Sequence, residues 1–376
     1  GRKNGVPAES GFDITAASEV MAILALASDP ADLRRRLGAI TVGYTASGDP
    51  VTAEEIRAAG SMAVLLREAL KPNLVQTLEG QPCLMHAGPF ANIAHGNNSI
   101  IADRIGLKLG DLLITESGFA SDLGMEKFMN VVCRVGSLRP HVVVVVTTVR
   151  ALRHHGGGDW RTTADTAQMA REVESGAANL AKHIENVRAF GIQPVVAVNT
   201  RADDDPALLE LVRRLSLGAG AFGAAVHDGF GRGGDGATEL AEVVAAAAEE
   251  PSDFRLLYRD DDPIDQKIAT VARVMYGADG IDLSPAALAA IDRYDRQGIS
   301  HFPICMAKTH LSLSHDPALV NRPSGFVVPI RDIRAYTGAG MLVPLLGEML
   351  QMPGLGPSPA AFDIDVTADG EVVGLF

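Results

Sequence analysis

Short apolar runs alternate with longer amphipathic segments through the first 250 residues of the chain. Four of these runs consist almost entirely of Val, Leu, Ile and Thr: Leu74–Thr77, Leu112–Thr115, Val142–Thr147 and Val195–Val198. Consecutive apolar positions over such short lengths are typical of parallel strands that are covered on both faces. The pattern therefore predicts four central strands of a parallel sheet, with a further short strand at Ile40–Gly43.

The segments between the runs have helical periodicity. The longest predicted helix covers Thr163–Phe190, where apolar residues recur on one face and Gly191 supplies the stop. Two further helices are predicted, Ala16–Ala27 with Asp13 or Thr15 as its cap and Ala53–Ala69 with Thr52 as its cap.

Alternation of strands and helices indicates an α/β fold, a doubly wound and mostly parallel sheet with helices on its faces. The character of the chain changes near residue 250, beyond which prolines are more frequent and the predicted strands are shorter. We therefore predict two domains, residues 1–250 with the main sheet and residues 251–376 as a smaller α/β domain.

Composition and charge narrow the range of partners. The formal net charge is −13, which argues against nucleic acid because neutralising phosphates needs a basic surface. Small anionic ligands need only a local site and stay compatible with this charge. The three cysteines are far apart and lack zinc-site spacing, as expected of reduced thiols in a cytoplasmic protein. No apolar run is long enough to span a membrane, and no signal-peptide pattern is present.

Small and hydrogen-bonding residues are concentrated in one stretch, Gln81–Phe128. Its glycines, alanines and prolines leave the main chain accessible, and its histidines and asparagines can donate or accept hydrogen bonds. Glu116 follows a predicted strand, which would deliver its carboxylate to the edge where α/β folds bind ligands. The alternative for the nearby Asp122 is a helix cap that forms a salt bridge with Lys127.

Other candidates follow the later strands. Arg150 comes after Val142–Thr147 and suits a carboxylate or phosphate, although a bridge to a neighbouring glutamate is equally compatible. Asn199 and Asp203 follow Val195–Val198 and could bind the edge of a purine, although Asn is also a common turn residue. No Gly-Lys-Ser/Thr phosphate loop occurs in the chain, and the glycine-rich Gly229–Gly236 lacks the spacing of one.

Several long motifs occur together in this chain. They are PFANIAHG at residues 89–96, TESGFASDLGMEKF at 115–128, TVRAL at 148–152, MAKT at 306–309 and MPGL at 352–355. In this order they resemble the formate–tetrahydrofolate ligase family, from Gly11 to Phe376. Ala87 and Asn97 depart from the family pattern, which usually has Gly and Cys there.

The resemblance implies roles for particular residues. Those expected to line the cavity in which formyl phosphate forms are Pro89, Phe90, Asn92, His95 and Gly96, and the catalytic set is Glu116, His95, Asn92 and Arg150. The residues expected to bind the nucleotide or folate rings are Asn199, Asp203, Arg201 and Phe230, the last two as the jaws of a clamp. Arg201 stands where the family has an aromatic residue, and a guanidinium can still stack on a flat heterocycle. No metal-ligating residues are predicted.

The resemblance also implies the reaction and its participants. The family uses ATP with Mg²⁺, formate and tetrahydrofolate, works as a cytoplasmic homotetramer and is activated by a monovalent cation, K⁺ or NH₄⁺. The fold implied is of the P-loop NTPase type, with the phosphate loop upstream of the segment seen here. We therefore expect the chain to lack an N-terminal portion and to be inactive alone. The alternative is a non-catalytic relative that keeps a folate or nucleotide cavity or an assembly role.

Overall fold

A computed structural model describes residues 17–89, 95–159, 165–347, 362–368 and 371–374. Its α-helices are α1 Glu19–Leu26, α2 Pro30–Gly38, α3 Ala59–Leu65, α4 Ile100–Leu109, α5 Arg134–Gly136, α6 Val149–His155, α7 Thr166–Ala189, α8 Pro206–Gly218, α9 Gly229–Arg232, α10 Thr238–Glu249, α11 Ile264–Val271 and α12 Pro285–Arg296. Its strands are β1 Thr41–Tyr44, β2 Pro50–Thr52, β3 Asn73–Gln76, β4 Pro82–Met85, β5 Val142–Thr147, β6 Gln193–Asn199, β7 Gly223–His227, β8 Gly280–Leu283, β9 Val327–Ile330, β10 Asp332–Tyr336, β11 Met341–Leu345, β12 Asp365–Val366 and β13 Val372–Val373. Short π-helical turns cover Ser121–Met125, Phe128–Cys133 and Ala272–Tyr276, and a 3₁₀ turn covers Gly233–Ala237.

A three-stranded parallel sheet in the order β5-β6-β7 carries the strand ends that matter for function. Val142 pairs with Gln193 and Thr147 with Val198, so the register runs without a shift along β5 and β6. The middle strand is buried throughout its centre, and Val196 packs in one core with residues of α6, α7 and α8. The predicted strands at Val142–Thr147 and Val195–Val198 are thereby confirmed.

Two of the four predicted central strands of the parallel sheet are wrong. The run at Leu74–Thr77 becomes β3, which pairs antiparallel with β4 in a hairpin whose side chains are largely exposed. The run at Leu112–Thr115 lies outside every strand of the described residues. An apolar run of this kind indicates that its residues could fill the interior of a sheet. Whether the run forms a central strand also depends on a neighbouring strand with which it can pair, and the run itself does not show that.

The predicted helices exist with altered ends. The long helix is α7, and it ends before Gly191, whose φ of +76° provides the expected stop. The cap of α1 is Ser18, whose side chain accepts from the Met21 amide, instead of Asp13 or Thr15. Thr52 exchanges hydrogen bonds with Glu55 as in a capping box. These bonds hold a turn, and α3 itself is only seven residues long.

The remaining strands form two-stranded units. Strands β8 and β9 are parallel, and the pairs β1–β2, β10–β11 and β12–β13 are antiparallel. The main hydrophobic core takes residues from both sides of residue 250, including Val187 and Met275. The molecule is thus a mixed α/β protein with small parallel sheets, and the division into two domains stays a prediction. None of the described helices is long and apolar enough to cross a membrane.

Glycines let α6 and α7 lie in backbone contact. A β-carbon on Gly176 would be 1.9 Å from the carbonyl oxygen of Leu152, and one on Gly156 would be 1.9 Å from that of Glu172. Beside this contact, the buried Arg153 guanidinium donates to Glu172 at 2.6 Å. The crossing fixes α6, and with it the residue at its first turn, Arg150, against the end of the parallel sheet.

We expect Gly176→Ala to lower the free energy of unfolding by about 2–3 kcal/mol, because the added methyl group forces the two backbones apart. Urea unfolding followed by circular dichroism measures this change. The matched control is Gly60→Ala, since Gly60 lies in the exposed part of α3 and a β-carbon added there would have nothing within 4 Å. That substitution should stabilise the protein by about 0.5–1 kcal/mol through helix propensity. Equal effects at the two positions would contradict a role for the close crossing.

Candidate functional site

The carboxyl edge of the three-stranded sheet brings an arginine and an aspartate together. Thr148 caps α6 directly after β5, and the Arg150 guanidinium donates to Asp203 Oδ2 at 2.9 Å. The hydrogen bond from Arg150 lowers the pKa of the exposed Asp203 carboxyl group. The predicted strand-end positions of both residues are confirmed, and the acidic partner expected for Arg150 is Asp203 rather than a glutamate.

A second contact at this edge joins β6 to β7. The Asn199 Oδ1 atom accepts a hydrogen bond from His227 Nδ1 at 2.8 Å, and the Thr200 amide donates to the His227 carbonyl at 3.1 Å. Both contacts fix the Asn199 side chain, whose amide nitrogen keeps its donors for another group. Sequence reasoning did not single out His227. Its signal was the polar pair His227-Asp228 directly after an apolar run, the same signal that identified Asn199.

The two predicted clamp residues have free side-chain surface near these contacts. Phe230 lies in α9, directly after β7, and its side chain is fully exposed at 105%. Arg201 follows β6 and is also exposed, with its backbone amide held by Asp204 Oδ2 at 2.8 Å. An exposed phenylalanine ring gains no free energy from burial in the free protein. A ligand or partner that covers the ring would therefore be stabilised by the apolar contact.

The β3–β4 hairpin reaches the same loop. At its turn, the Glu79 carboxylate accepts a hydrogen bond from the Gly234 amide. A β-carbon on Gly233 would be 2.6 Å from Glu79 Oε1, so the loop is shaped to this contact. β4 is followed by the residues that lead to Pro89. The hairpin therefore connects these residues to the loop that carries Phe230.

The predicted cavity-lining histidine is inside the protein. His95 has 0% exposure, and neither ring nitrogen has a hydrogen-bond partner within the described ranges. Burial, followed by the charge of Lys127, lowers the pKa of His95 to about 4, so the ring is neutral at pH 7. Pro89 is half-buried in the loop after β4, and the predicted residues Phe90 and Asn92 lie outside the described residues.

Three glycines pack the turn after His95 against the TESGFASDLG segment. A β-carbon on Gly96, whose φ is +79°, would be 2.2 Å from the Gly124 carbonyl oxygen. One on Gly124 would be 1.7 Å from the Gly118 carbonyl oxygen. Between them, Phe119 and Ala120 have positive φ values of 64° and 65°, which non-glycine residues adopt only at a cost. The arrangement therefore depends on close backbone contacts, which a side chain at Gly96 or Gly124 would prevent.

A buried ion pair lies directly after this strained turn. Lys308 Nζ is 2.8 Å from Asp122 Oδ2, and the two side chains are 0% and 6% exposed. The ammonium group also donates to the Thr309 carbonyl at 2.8 Å and lies 5.2 Å from the centre of the Tyr276 ring. The expected bridge from Asp122 to Lys127 is wrong. The reason is that Asp122 lies in a buried π-helical turn, where its side chain reaches Lys308 in the C-terminal half of the protein.

A carboxyl group next to this pair has an altered protonation equilibrium. Glu126 has 0% exposure, and its Oε1 atom accepts from Asn130 Nδ2 at 2.7 Å. Burial raises the pKa of Glu126 to about 7, and Asp122 adds to the rise, while Asn130, Lys127 and Arg134 oppose it. The group therefore titrates near neutral pH inside the protein.

The predicted position of Glu116 at the end of a parallel strand is wrong. Glu116 follows the unpaired stretch Leu112–Thr115 and is exposed, so no sheet edge positions its carboxylate. In the part of the chain that the structure describes, no group of three or more His, Cys, Asp and Glu side chains could hold a metal ion. The arrangement at the sheet edge can instead bind a flat polar ligand through Asn199, Arg150 and an aromatic face.

Comparison with known proteins gives a consistent result. The family model that describes formate–tetrahydrofolate ligase matches residues 1–376. A formate–tetrahydrofolate ligase of Desulforamulus reducens is 53% identical, covering 100% of this chain and 67% of the relative. One of Saccharopolyspora erythraea is 50% identical with the same coverage. The human cytoplasmic C-1-tetrahydrofolate synthase is 51% identical over 97% of this chain and 40% of its own length.

We expect Lys308→Met to destabilise the protein by about 3–5 kcal/mol, because it leaves the Asp122 carboxylate buried without its cation. Lys71→Met is the control, since Lys71 forms an exposed pair with Glu68 and its removal should cost no more than about 1 kcal/mol. Urea unfolding at neutral pH measures both. A Lys308→Met protein as stable as the control variant would show that the buried pair is not needed.

We expect the stabilising contribution of Glu126 to fall as pH rises from 4.5 to about 7, since folded Glu126 binds its proton more tightly than the unfolded chain, whose pKa is 4.5. The lowered pKa values of His95 and His155 give slopes of the opposite sign over most of this range, so the contribution is measured as a difference between variants. The contribution is full below pH 4.5, amounts to about 3 kcal/mol at most, and is lost above pH 7. Half-buried Glu19, whose pKa is also raised to about 7, adds a slope of the same sign as that of Glu126. The difference in stability between the wild type and Glu126→Gln should therefore fall as pH rises through this range, whereas the difference for Glu249→Gln, at an exposed position, should stay constant. Parallel profiles for the two variants in urea unfolding would refute the assignment.

Proposed function

The chain belongs to the formate–tetrahydrofolate ligase family, and on that premise we propose that it serves ATP-dependent ligation of formate to tetrahydrofolate. The products are 10-formyltetrahydrofolate, ADP and phosphate. The main geometric support for this proposal is the set of side chains at the carboxyl edge of β5, β6 and β7. Open α/β sheets bind their ligands at this edge, and here it combines the Arg150–Asp203 pair with the exposed Phe230.

The proposed reaction has two steps. A formate oxygen attacks the γ-phosphorus of ATP, the bond to the bridging oxygen breaks, and ADP leaves. The N10 atom of tetrahydrofolate then attacks the carbonyl carbon of formyl phosphate, phosphate leaves with the bonding electrons, and N10 loses its proton. Holding the two reactants in contact supplies much of the rate, and exclusion of water protects the mixed anhydride from hydrolysis. No protein nucleophile is needed.

The residues at the sheet edge fit the recognition of a flat heterocycle. The exposed face of Phe230 can stack on a ring, and the Arg201 guanidinium can approach the ring from the other side by a cation–π contact. The amide nitrogen of Asn199 can donate to a ring edge because its oxygen is already occupied by His227. Arg150 and Asp203 orient each other beside this position and can bind polar groups of the same ligand.

The loop that follows β4 is the second part of the proposed site. We propose that Pro89, Phe90 and Asn92 bind formyl phosphate. His95, which is neutral and buried, and Gly96, which packs on Gly124, hold the end of this loop. Glu116 is exposed within the TESGF segment, and its proposed role is to approach the phosphates from there.

The remaining participants follow from the family. We propose Mg²⁺ as the counter-ion of ATP, where phosphate oxygens and water are its usual ligands, and K⁺ or NH₄⁺ as the activating cation. The described residues offer no clustered carboxylate or imidazole ligands for either ion, so no step of the reaction is assigned to protein-bound metal. A cytoplasmic homotetramer and a sheet of the P-loop NTPase type are also part of the proposal.

One substitution favours a second function. Arg201 replaces the aromatic residue that the resemblance leads us to expect, and it is exposed at the ring-binding edge. A weaker clamp is compatible with a non-catalytic relative that retains a folate or nucleotide cavity. Turnover separates the two, because this alternative predicts ligand binding without folate-dependent release of ADP.

We expect the complete gene product that contains these 376 residues to convert ATP to ADP in repeated turnovers only when formate and tetrahydrofolate are both present. Phe230→Ala should raise the KM for tetrahydrofolate about tenfold or more, because a stacking face worth about 1–3 kcal/mol is lost. Arg201→Phe should lower that KM by restoring an aromatic jaw.

The control for these variants is Phe362→Ala, which removes another exposed phenylalanine, 73% accessible, from outside the sheet edge. It should leave the KM unchanged. A folded protein that binds tetrahydrofolate but releases no ADP would establish the non-catalytic alternative. Equal effects of Phe230→Ala and Phe362→Ala would remove Phe230 from the ring site.

A further inference from the structure

The direction of the Phe230 ring depends on the backbone that carries it. The Phe230 side chain is fully exposed, so packing against the described residues contributes little to its orientation. The directions open to a side chain that is not packed are set by the backbone at its own residue. Whatever holds the backbone of this loop therefore also orients the ring.

The backbone around Phe230 has much conformational freedom of its own. Five of the eight residues from 229 to 236 are glycine. Gly233 joins the turn of α9, which carries Phe230, to the 3₁₀ turn that follows, and its φ is +57° with ψ at −140°. Glycine adopts this combination readily and other residues rarely do. Such a joint lets the two turns rotate against each other unless another group restrains them.

Asp228 closes the base of the loop. Its amide donates to the Gly236 carbonyl at 3.0 Å, and its carbonyl accepts from the Arg232 amide at 3.0 Å. Its Oδ1 atom also accepts from the Gly231 amide at 3.2 Å. These contacts hold the two ends of the loop to each other, whereas the Gly233 joint lies between them.

Glu79 restrains the middle of the loop from a different element. Its carboxylate accepts a hydrogen bond from the Gly234 amide. A β-carbon on Gly234 would be 2.1 Å from Glu79 Oε2, and one on Gly233 would be 2.6 Å from Glu79 Oε1. The backbone of both glycines thus lies directly against the carboxylate. A hydrogen bond to an ionised acceptor is stronger than one between neutral groups, so Glu79 holds the joint on which the direction of Phe230 depends.

The turn that carries Glu79 is itself well fixed. The Thr77 amide donates to the Gln81 carbonyl at 2.9 Å, and the Gln81 amide donates back to Thr77 Oγ1 at 3.0 Å. The Thr77 hydroxyl also donates to Gln81 Oε1 at 2.7 Å. The Gly80 amide closes the turn on the Thr77 carbonyl at 3.0 Å. The carboxylate is therefore presented to the glycines from a rigid hairpin end.

We propose that Glu79 is a positioning residue for tetrahydrofolate: its carboxylate fixes the Gly233–Gly234 backbone and thereby holds the Phe230 ring in the direction that stacks on the ligand. This inference rests on the proposed function, which assigns Phe230 to the ring site. Glu79 acts through the loop and makes no contact with the ligand.

The test begins with tetrahydrofolate kinetics of the complete gene product at saturating ATP and formate. Glu79→Ala should raise the KM for tetrahydrofolate about fivefold. Its kcat should stay within about twofold, because a ring that stacks on the bound ligand is lost equally from the ground state and the transition state. Glu79→Gln keeps a carbonyl oxygen that can accept from the Gly234 amide, and it should restore most of the affinity.

A double-mutant cycle separates action through Phe230 from an independent effect. In the Phe230→Ala protein the ring is absent, so adding Glu79→Ala should raise the KM no further. Hydrogen exchange without ligand gives a second readout that does not depend on turnover. Amides of residues 230–236 should exchange about tenfold faster or more in Glu79→Ala than in the wild type. The midpoint of urea unfolding should not change, since the contact is exposed.

The matched control is Glu55→Ala. Glu55 is also an exposed glutamate whose carboxylate accepts from a backbone amide, that of Thr52 at 2.7 Å, in a different turn. It should change neither the KM nor exchange in residues 230–236. Equal effects of the two variants, independent and multiplying effects of Glu79→Ala and Phe230→Ala, or unchanged exchange in the loop would each overturn the role of Glu79.

Failure of the proposed function gives a different pattern. If Phe230→Ala leaves tetrahydrofolate binding unchanged, the ring site is wrong and the inference falls with it. If Phe230→Ala weakens binding and Glu79→Ala does not, only the inference is overturned. For a wild-type protein that binds tetrahydrofolate without turnover, the dissociation constant replaces the KM in the same cycle, with the same expected pattern.

Discussion

The buried pair of Asp122 and Lys308 connects parts of the chain that are nearly two hundred residues apart in sequence. Both charges are buried away from water. Removing either one would leave the other buried and unpaired, which costs free energy of folding. The π-helical turn that carries Asp122 packs on α7, where Ser121 contacts His183 at 2.7 Å and Asn186 at 3.1 Å. Asn186 in turn donates to the Met275 carbonyl at 2.9 Å. Polar contacts therefore determine how the two halves of the protein meet, and the hydrophobic core fills the space around them.

The sequence was sufficient where a local pattern determines the outcome. The valine run of β5, the buried β6 and the amphipathic α7 follow from periodicity, and Gly191 ends α7 because its positive φ suits only a residue without a β-carbon. The same logic placed Arg150, Asn199 and Asp203 at strand ends. Those three residues do lie at one sheet edge, because parallel strands end on the same side.

The sequence was insufficient where partners are distant. Leu112–Thr115 has the composition of a central strand, but composition does not reveal whether a neighbouring strand is present. The partner of Asp122 was expected five residues away at Lys127, and only the packed structure shows Lys308 there. Likewise the complete burial of His95 does not follow from its surroundings in sequence. Sequence patterns that extend over a few neighbouring residues contain no information on such tertiary contacts.

The contact between Glu79 and Gly234 has a mechanical consequence. The β3–β4 hairpin is a ladder of four residue pairs, about 13 Å long at the usual rise per residue. One end of this ladder is attached to the loop beside Phe230, and the other continues into the segment before Pro89. A ladder held by cross-strand hydrogen bonds moves as a lever. We therefore expect a ligand that displaces the glycine loop to shift the residues before Pro89 as well, by a route outside the hydrophobic core.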